Sequence, residues 1–146
     1  MLLKKNFLLI CLACILLLCG QALAEDYAAD IKSKVLLRTE TMSNGQPIDY
    51  LDFEKPNLTV LDLEIAPGSQ TGWHSHPVNV YAYVMSGRIS VEIEGGKTAE
   101  FKEGEVIVEV VNLLHNGVNR GKVPVRLIVF YLGAKNLPNV LKAEKK

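Results

Sequence analysis

Two of the three histidines in the chain, His74 and His76, stand one residue apart at the start of an extended run, in the stretch from Pro67 to Gly87. Side chains at positions i and i+2 of a β-strand point to the same face, so both imidazoles can address one point. A neutral imidazole offers one ring nitrogen as a metal ligand. Two solvent-exposed histidines on a loop would give the same pattern, so the pair alone leaves both interpretations open.

The third histidine, His115, decides between these interpretations. It is distant from the pair in sequence, but antiparallel barrels place sequence-distant strands side by side. We therefore predict that His74, His76 and His115 converge to bind a divalent transition metal. Histidine ligands suit iron, manganese, nickel, copper and zinc alike, and the order of affinities alone does not select among them.

Aromatic and amide side chains near the histidines are candidates for lining a ligand pocket. Trp73, Tyr81 and Tyr83 could wall such a pocket, although packing in the core is the competing interpretation and is favoured for the two tyrosines. Gln70 and Asn116 could donate hydrogen bonds to a ligand, but both lie in predicted turns, where such residues occur for backbone reasons.

The elements that must position these residues are short strands. Ile89, Val91 and Ile93 alternate with polar residues, which predicts a strand with one buried side, and Gly95-Gly96 predicts a hairpin after it. Roughly eight to ten such segments are joined by Gly, Pro and Asn turns, without a long amphipathic helix. The sequence therefore predicts an all-β sandwich or barrel.

Three further segments carry expectations about structure. Lys34 to Met42 has strand character and predicts an edge strand, which would need cover. The nearly continuous apolar run from Val125 to Leu132 predicts a strand buried on both faces. His115-Asn116-Gly117 predicts a loop, because Asn-Gly is a turn-forming pair.

Two spaced motifs make the chain resemble a cupin. The first cupin motif, Gly, five residues, His-x-His and a later Gly, is matched by Gly68, His74, His76 and Gly87. In the second, the family places Gly, five residues, Pro-x-Gly, two residues, His, three residues and Asn. This chain matches that motif with Gly104, His115 and Asn119, and has Val110 and Asn112 in place of the proline and the glycine. The resemblance covers about residues 57 to 133 and implies a double-stranded β-helix, a jelly-roll-like barrel.

One departure from the first motif concerns the metal site. Most metal-binding cupins carry a glutamate where this chain has Val80, or Tyr81 with the alternative spacing. Strand parity favours Val80, which shares a face with the two histidines if no bulge intervenes. The site would then consist of three neutral imidazoles, which leave a divalent ion its full charge and open positions. The opposing interpretation is a degraded site that serves only as a pocket.

The resemblance implies a single-domain protein that binds a small molecule at the metal. Some cupin dioxygenases use a similar three-histidine iron centre, so the first interpretation is a dioxygenase or related enzyme acting on a small organic molecule. The alternative is a non-catalytic module that binds a small molecule or the metal itself. Cupins often dimerise through terminal strands, and Lys34 to Met42 is the candidate segment for a homodimer.

The first 24 residues have the layout of a secretory signal peptide. Lys4 and Lys5 precede an apolar run from Phe7 to Cys19, and the segment ends in small residues at Ala24. The apolar run is shorter than the roughly 20 residues that span a bilayer. Cys19 leaves lipid attachment as an alternative, although the bulky Leu18 disfavours it. We therefore expect a periplasmic or secreted protein.

Cleavage after Ala24 would remove all three cysteines, so neither a disulfide nor a thiol ligand is expected. The remaining residues, 25–146, suit one domain with an ordinary core. We expect a lead-in and edge strand over 25–56, the barrel core over 57–133 and a tail over 134–146.

Loss of Lys4 and Lys5 would leave 14 basic against 16 acidic residues, a formal net charge of −2. This balance argues against nucleic acid or a membrane surface as partner.

Overall fold

The computed structural model describes residues 30–144. The predicted signal peptide, residues 1–24, and residues 25–29 of the predicted lead-in lie outside this range. The described residues from Leu36 onward form one compact unit. All regular secondary structure among the described residues is β-strand, and within them no helix is long and apolar enough to cross a membrane.

Within residues 30–144, nine strands form two sheets, and all strand pairs in them are antiparallel. The four-stranded sheet has the order β1-β8-β3-β6, and the five-stranded sheet has the order β5-β4-β7-β2-β9. The strands are β1 Pro56–Ile65, β2 His74–Ser75, β3 Asn79–Ser86, β4 Arg88–Ile93, β5 Thr98–Lys102, β6 Val106–Val108, β7 His115–Val118, β8 Val125–Ala134 and β9 Leu141–Lys142. This is the jelly-roll architecture of cupins, as the sequence predicted.

The hydrophobic core lies between the two sheets. β4 contributes Ile89, Val91 and Ile93, the three residues that its alternation predicts to be buried. β4 and β5 pair in register from Arg88 and Lys102 onward, so the hairpin predicted at Gly95-Gly96 is confirmed. The four-stranded sheet faces them with buried apolar residues on β3 and β8, namely Val80, Ala82, Val84, Leu127, Val129 and Tyr131.

Strand β8 is not buried on both faces, contrary to the prediction from its apolar run. Val125, Leu127 and Val129 are buried, whereas Phe130 and Leu132 on the other face are 38% and 39% exposed. β8 is hydrogen-bonded to β1 and β3 along both edges, and the second sheet covers only the face that carries Val125, Leu127 and Val129. The apolar run therefore reflects a central strand in a sheet that is covered on one side.

The strand predicted from Lys34 to Met42 does not form within the single chain. Residues 34–40 form no strand, and Thr41 makes only an isolated bridge to Pro47. Leu36 and Leu37 remain 49% and 44% exposed. Strand propensity measures how well a residue packs on a pleated surface, so without a partner edge it does not produce a strand.

Candidate metal centre

The three histidines are positioned by β2 and β7 in the middle of the five-stranded sheet. His74 in β2 is the direct cross-strand partner of His115 in β7, and His76 follows β2 and bridges to Val111. The prediction of a loop at His115-Asn116-Gly117 is therefore wrong, because these residues belong to β7. These residues are turn-forming by type, but β7 lies between β4 and β2, and its backbone is paired with both strands.

The imidazole rings converge inside the barrel. Their centroids lie 4.5 Å apart for His74 and His115, and 4.8 Å apart for the other two pairs. The available nitrogen atoms all lie within 4.8 Å of one another. Two nitrogens bound to one ion at about 2.1 Å are roughly 3–3.4 Å apart, so the rings must close slightly to share an ion. His76 and His115 are buried, and His74 is half-buried.

Each imidazole is held by a backbone carbonyl through its Nδ1 atom. The distances are 2.7 Å from His74 to the Gly72 oxygen, 2.8 Å from His76 to the Asn139 oxygen and 2.9 Å from His115 to the Leu113 oxygen. A carbonyl can only accept, so Nδ1 carries the hydrogen in all three rings. This tautomer leaves the Nε2 lone pair of every ring available to a metal.

Burial also keeps the three imidazoles neutral. Desolvation lowers the pKa of His74 and His115, and it lowers the pKa of His76 to about 3. Imidazoles must be unprotonated to ligate a metal, so these rings need not release a proton on binding. The donor set therefore fits a divalent transition metal, as the sequence predicted, although ligation itself stays a prediction.

A cavity of about 40 Å³ adjoins the three rings. Its walls are mostly apolar and come from both sheets, through Val80, Ala82, Ile89, Val91, Leu127 and Val129. The ring of Tyr131 also lines the cavity and packs edge-on against His76 at a centroid distance of 5.5 Å. Since one water occupies roughly 30 Å³ in the liquid, the space suits an ion with one or two small ligands.

Sequence reasoning missed one ionisable residue at the site, Glu109. It follows β6 and lines the cavity with the histidines, and its Oε2 atom lies 3.7 Å from Nε2 of His115. Burial raises the pKa of this carboxyl to about 7. The signal in the sequence is a single charged residue inside the run Val-Ile-Val-Glu-Val-Val. Such a residue is expensive to bury without a function or a partner.

The three imidazoles therefore share their cavity with one acidic side chain. Val80 faces the cavity, as strand parity predicts, and Tyr81 does not line it. Val108 is the cross-strand partner of Tyr81, so the next position, Glu109, stands opposite Val80, and its N–H donates to the Val80 oxygen at 3.0 Å. Val80 has no carboxylate, but Glu109, in the segment that follows β6, brings one to the same part of the cavity.

The structure does not bring the other predicted pocket residues to the cavity. Trp73 is 43% exposed and lines a separate surface depression, and neither Tyr81 nor Tyr83 contacts the cavity. The Asn116 side chain donates to the Gln70 side chain at 2.8 Å and to Glu92 at 3.1 Å. The two amides therefore support the loop before β2, and Tyr131 is the aromatic residue of the site.

Backbone geometry explains the substitution at Asn112. Asn112, which replaces the glycine of the second motif, has a φ of 55°, a left-handed conformation that Asn tolerates better than most residues. Its N–H donates to the His76 oxygen at 2.9 Å.

Asn119 is fully buried and bonds to the backbone of Ile65, Gly121 and Val123. It has a structural role and is not a ligand.

Comparison with known families agrees with the fold and the site. Residues 61–131 match the family model of the cupin domain. The matched segment is just under half of the chain and contains His74, His76 and His115. No curated protein matches the sequence.

Solved structures of similar fold are distant in sequence. A cupin-like protein from Thermotoga maritima gives a TM-score of 0.53 at 22% identity, covering 61% of this chain and 66% of the other. A structure from a study of the DMSP lyases RdDddP and RnDddQII gives 0.52 at 22% identity, covering 60% and 44%. A protein from Bacillus halodurans gives 0.51 at 22% identity, covering 58% and 69%. At this identity the likeness concerns the fold alone, and the chain spans less than half of the lyase-study structure.

Proposed function

We propose that this protein is an extracytoplasmic cupin that binds a divalent transition metal through His74, His76 and His115 and acts on a small organic molecule as a dioxygenase or related enzyme. One observation supports the proposal above all. Three backbone carbonyls fix the three imidazoles in the same tautomer, so each has a free Nε2 lone pair at one cavity.

Residues of the chain would set the conditions for this chemistry. The apolar walls from β3, β4 and β8 exclude bulk water, which strengthens electrostatic interactions at the centre. The carbonyls of Gly72, Leu113 and Asn139 fix the orientation and tautomer of the rings, and burial keeps the rings neutral. A bound transition metal supplies Lewis acidity and an open coordination position to a small ligand.

The second candidate function is a non-catalytic module that binds the metal or a very small ligand. The size of the cavity favours it. Ligand pockets for organic molecules usually measure about 300–1,000 Å³, whereas the space beside the histidines is about 40 Å³. A substrate larger than a few atoms would therefore have to reach the metal from the mouth of the barrel.

Metal analysis tests the proposal directly. Protein comprising residues 25–146 is purified, stripped with a chelator and refilled separately with iron, manganese, nickel, copper and zinc. We expect close to one equivalent of at least one metal after gel filtration, and loss of this metal in the His74→Ala variant. Substoichiometric binding of all five metals would contradict the proposal.

Oxygen uptake separates the enzyme from the binding module. The iron form is mixed with diketones, flavonols and small thiols in an oxygen electrode, with the His74→Ala variant as the control. Uptake that requires both a substrate and His74 supports the enzyme. Binding of small molecules to the metal form without turnover supports the module.

The extracytoplasmic location rests on the sequence of residues 1–24. Expression of the full chain in a bacterium, followed by fractionation and intact mass measurement, tests it. We expect a periplasmic product that begins at Glu25. A lipid-modified product that begins at Cys19 would instead identify a lipoprotein, and a full-length cytoplasmic product would contradict export.

The homodimer also stays a prediction. The proposed contact is the segment Lys34 to Met42, whose Leu36 and Leu37 side chains are exposed in the single chain. Light scattering after gel filtration should give twice the chain mass, and a Leu36→Asp/Leu37→Asp variant should give a single chain mass. A monomeric starting protein would contradict the prediction.

A further inference from the structure

We propose that Glu109 is a fourth ligand of the metal centre, so that the site comprises three imidazoles and one carboxylate. This inference rests on the metal site proposed above. The carboxylate would then come from the segment that follows β6, opposite Val80, and not from β3.

The first argument is the relation between Glu109 and His115. Glu109 Oε2 and His115 Nε2 are 3.7 Å apart, which is too long for a hydrogen bond between them. Both atoms are buried, and neither has a hydrogen-bond partner among the described residues. The Glu109 side chain is 14% exposed and that of His115 is 2% exposed. Unpaired buried polar atoms are costly, and a shared cation would satisfy both.

The tautomer of His115 strengthens this argument. Its Nδ1–H donates to the Leu113 oxygen, so Nε2 has a lone pair and no hydrogen. An ionised Glu109 presents only acceptors as well. Two acceptors that face each other at this distance attract a positively charged group between or beside them. The His74 and His76 rings border the same cavity and supply the remaining ligands.

The second argument is the position of Glu109 in the sheet. It stands opposite Val80 across the antiparallel pair of β3 and the segment that follows β6. Directly opposed residues have Cβ atoms about 4.5–5.5 Å apart and project to the same face of the sheet. A carboxylate can therefore reach the centre from either strand. Val80 is apolar, so Glu109 is the acidic side chain that lines the cavity.

The assignment changes the charge of the centre. Three imidazoles leave a divalent ion with its full charge, whereas an added carboxylate lowers the net charge of the centre to +1. Burying this smaller charge in an apolar barrel costs less, so the carboxylate should increase affinity. It should also leave fewer open positions for exogenous ligands.

The test compares Glu109→Gln with Glu100→Gln, a matched change at an exposed glutamate on β5. Metal affinity is measured by competition with a chromophoric chelator, and the Co²⁺ form is followed by its visible absorption spectrum. We expect Glu109→Gln to weaken binding at least about tenfold and to shift the cobalt bands, whereas Glu100→Gln changes neither. Equal affinity and an unchanged spectrum in Glu109→Gln would overturn the inference and leave the three-histidine site standing.

A second pair of variants addresses folding. Glu109→Val removes the carboxylate, and Glu109→Val/Val80→Glu returns one from the opposite strand. We expect the double variant to recover most of the affinity lost in Glu109→Val. If the double variant binds no more tightly than Glu109→Val, the inference is overturned. Wild-type protein that binds no metal would instead overturn the proposed function and this inference together.

Discussion

His74 and His115 are direct partners in the antiparallel ladder between β2 and β7. β2 is only two residues long, and it also pairs with β9, which begins at Leu141. The two proposed ligands are therefore placed by backbone hydrogen bonds rather than by a loop. An ion held by both residues would in turn fasten this short strand to the centre of its sheet.

We expect His74→Ala to reduce metal affinity by at least about 100-fold, because it removes one of three imidazole ligands. His74 is the least buried of the three, so this variant should disturb packing least. Isothermal titration with the preferred metal measures the change. Ser75→Ala, at the neighbouring position of the same strand, is the control and should bind as the wild type does. Similar losses in both variants would indicate a general disturbance of β2.

Metal removal should lower the stability of the protein. A ligand that binds only the folded state stabilises it by about 2.7 kcal/mol at a free concentration of 100 times Kd. For a domain of this size, that corresponds to a rise in Tm on the order of 10 °C. Differential scanning fluorimetry with and without excess metal measures it. The shift should disappear in His74→Ala, and a shift that persists there would locate the stabilising metal elsewhere.

Much of the fold could be predicted because its strands carry local signals. The alternation of Ile89, Val91 and Ile93 defines β4 and its buried face, and the glycine pair that follows defines the hairpin. The motif spacing also identified the three histidines. The strand signals depend on short-range periodicity, which the sequence displays directly, whereas the histidines are identified by the spacing of two separate motifs.

The predictions that fail concern properties that depend on residues far away in the sequence. Residues 115–117 are of types that favour a loop. They form a strand because β4 and β2 lie on either side and pair with their backbone. The segment from Lys34 to Met42 has strand propensity and no edge to pair with. Glu109 is missed because its position at the cavity follows from the register between β3 and β6. The contact of the Asn139 carbonyl with His76 likewise joins residues that are far apart in sequence.

Asn119 should be important for folding rather than for chemistry. Its side chain donates to the carbonyls of Ile65 and Val123 at 2.9 and 2.8 Å and accepts from Gly121 N–H at 2.9 Å. Asn119→Ala would leave buried backbone groups unpaired, so we expect a loss of about 2–3 kcal/mol in the free energy of unfolding. Urea denaturation measures it, with the exposed Asn57→Ala as the control. A loss of metal affinity without a loss of stability would instead indicate a role at the site.

Gly87 should resist substitution because of both its backbone conformation and its surroundings. Its φ is 84°, and a Cβ at this position would lie 2.8 Å from the Pro124 oxygen and 3.1 Å from Val125. The left-handed conformation alone costs an L-residue roughly 1–2 kcal/mol, and the backbone contact can be relieved only by moving the start of β8. We therefore expect Gly87→Ala to lower the free energy of unfolding by more than about 2 kcal/mol.

Gly96 provides the matched control for this prediction. It lies in the β4–β5 hairpin without a positive φ, and a Cβ there would meet its nearest neighbour, the Ile93 oxygen, at an ordinary 3.6 Å. Gly96→Ala should change stability by less than about 1 kcal/mol. Urea denaturation of the two variants side by side measures the difference. Equal effects would show that the turn between β3 and β4 does not require the left-handed conformation, and that Gly87 is not fixed by its contact with Pro124.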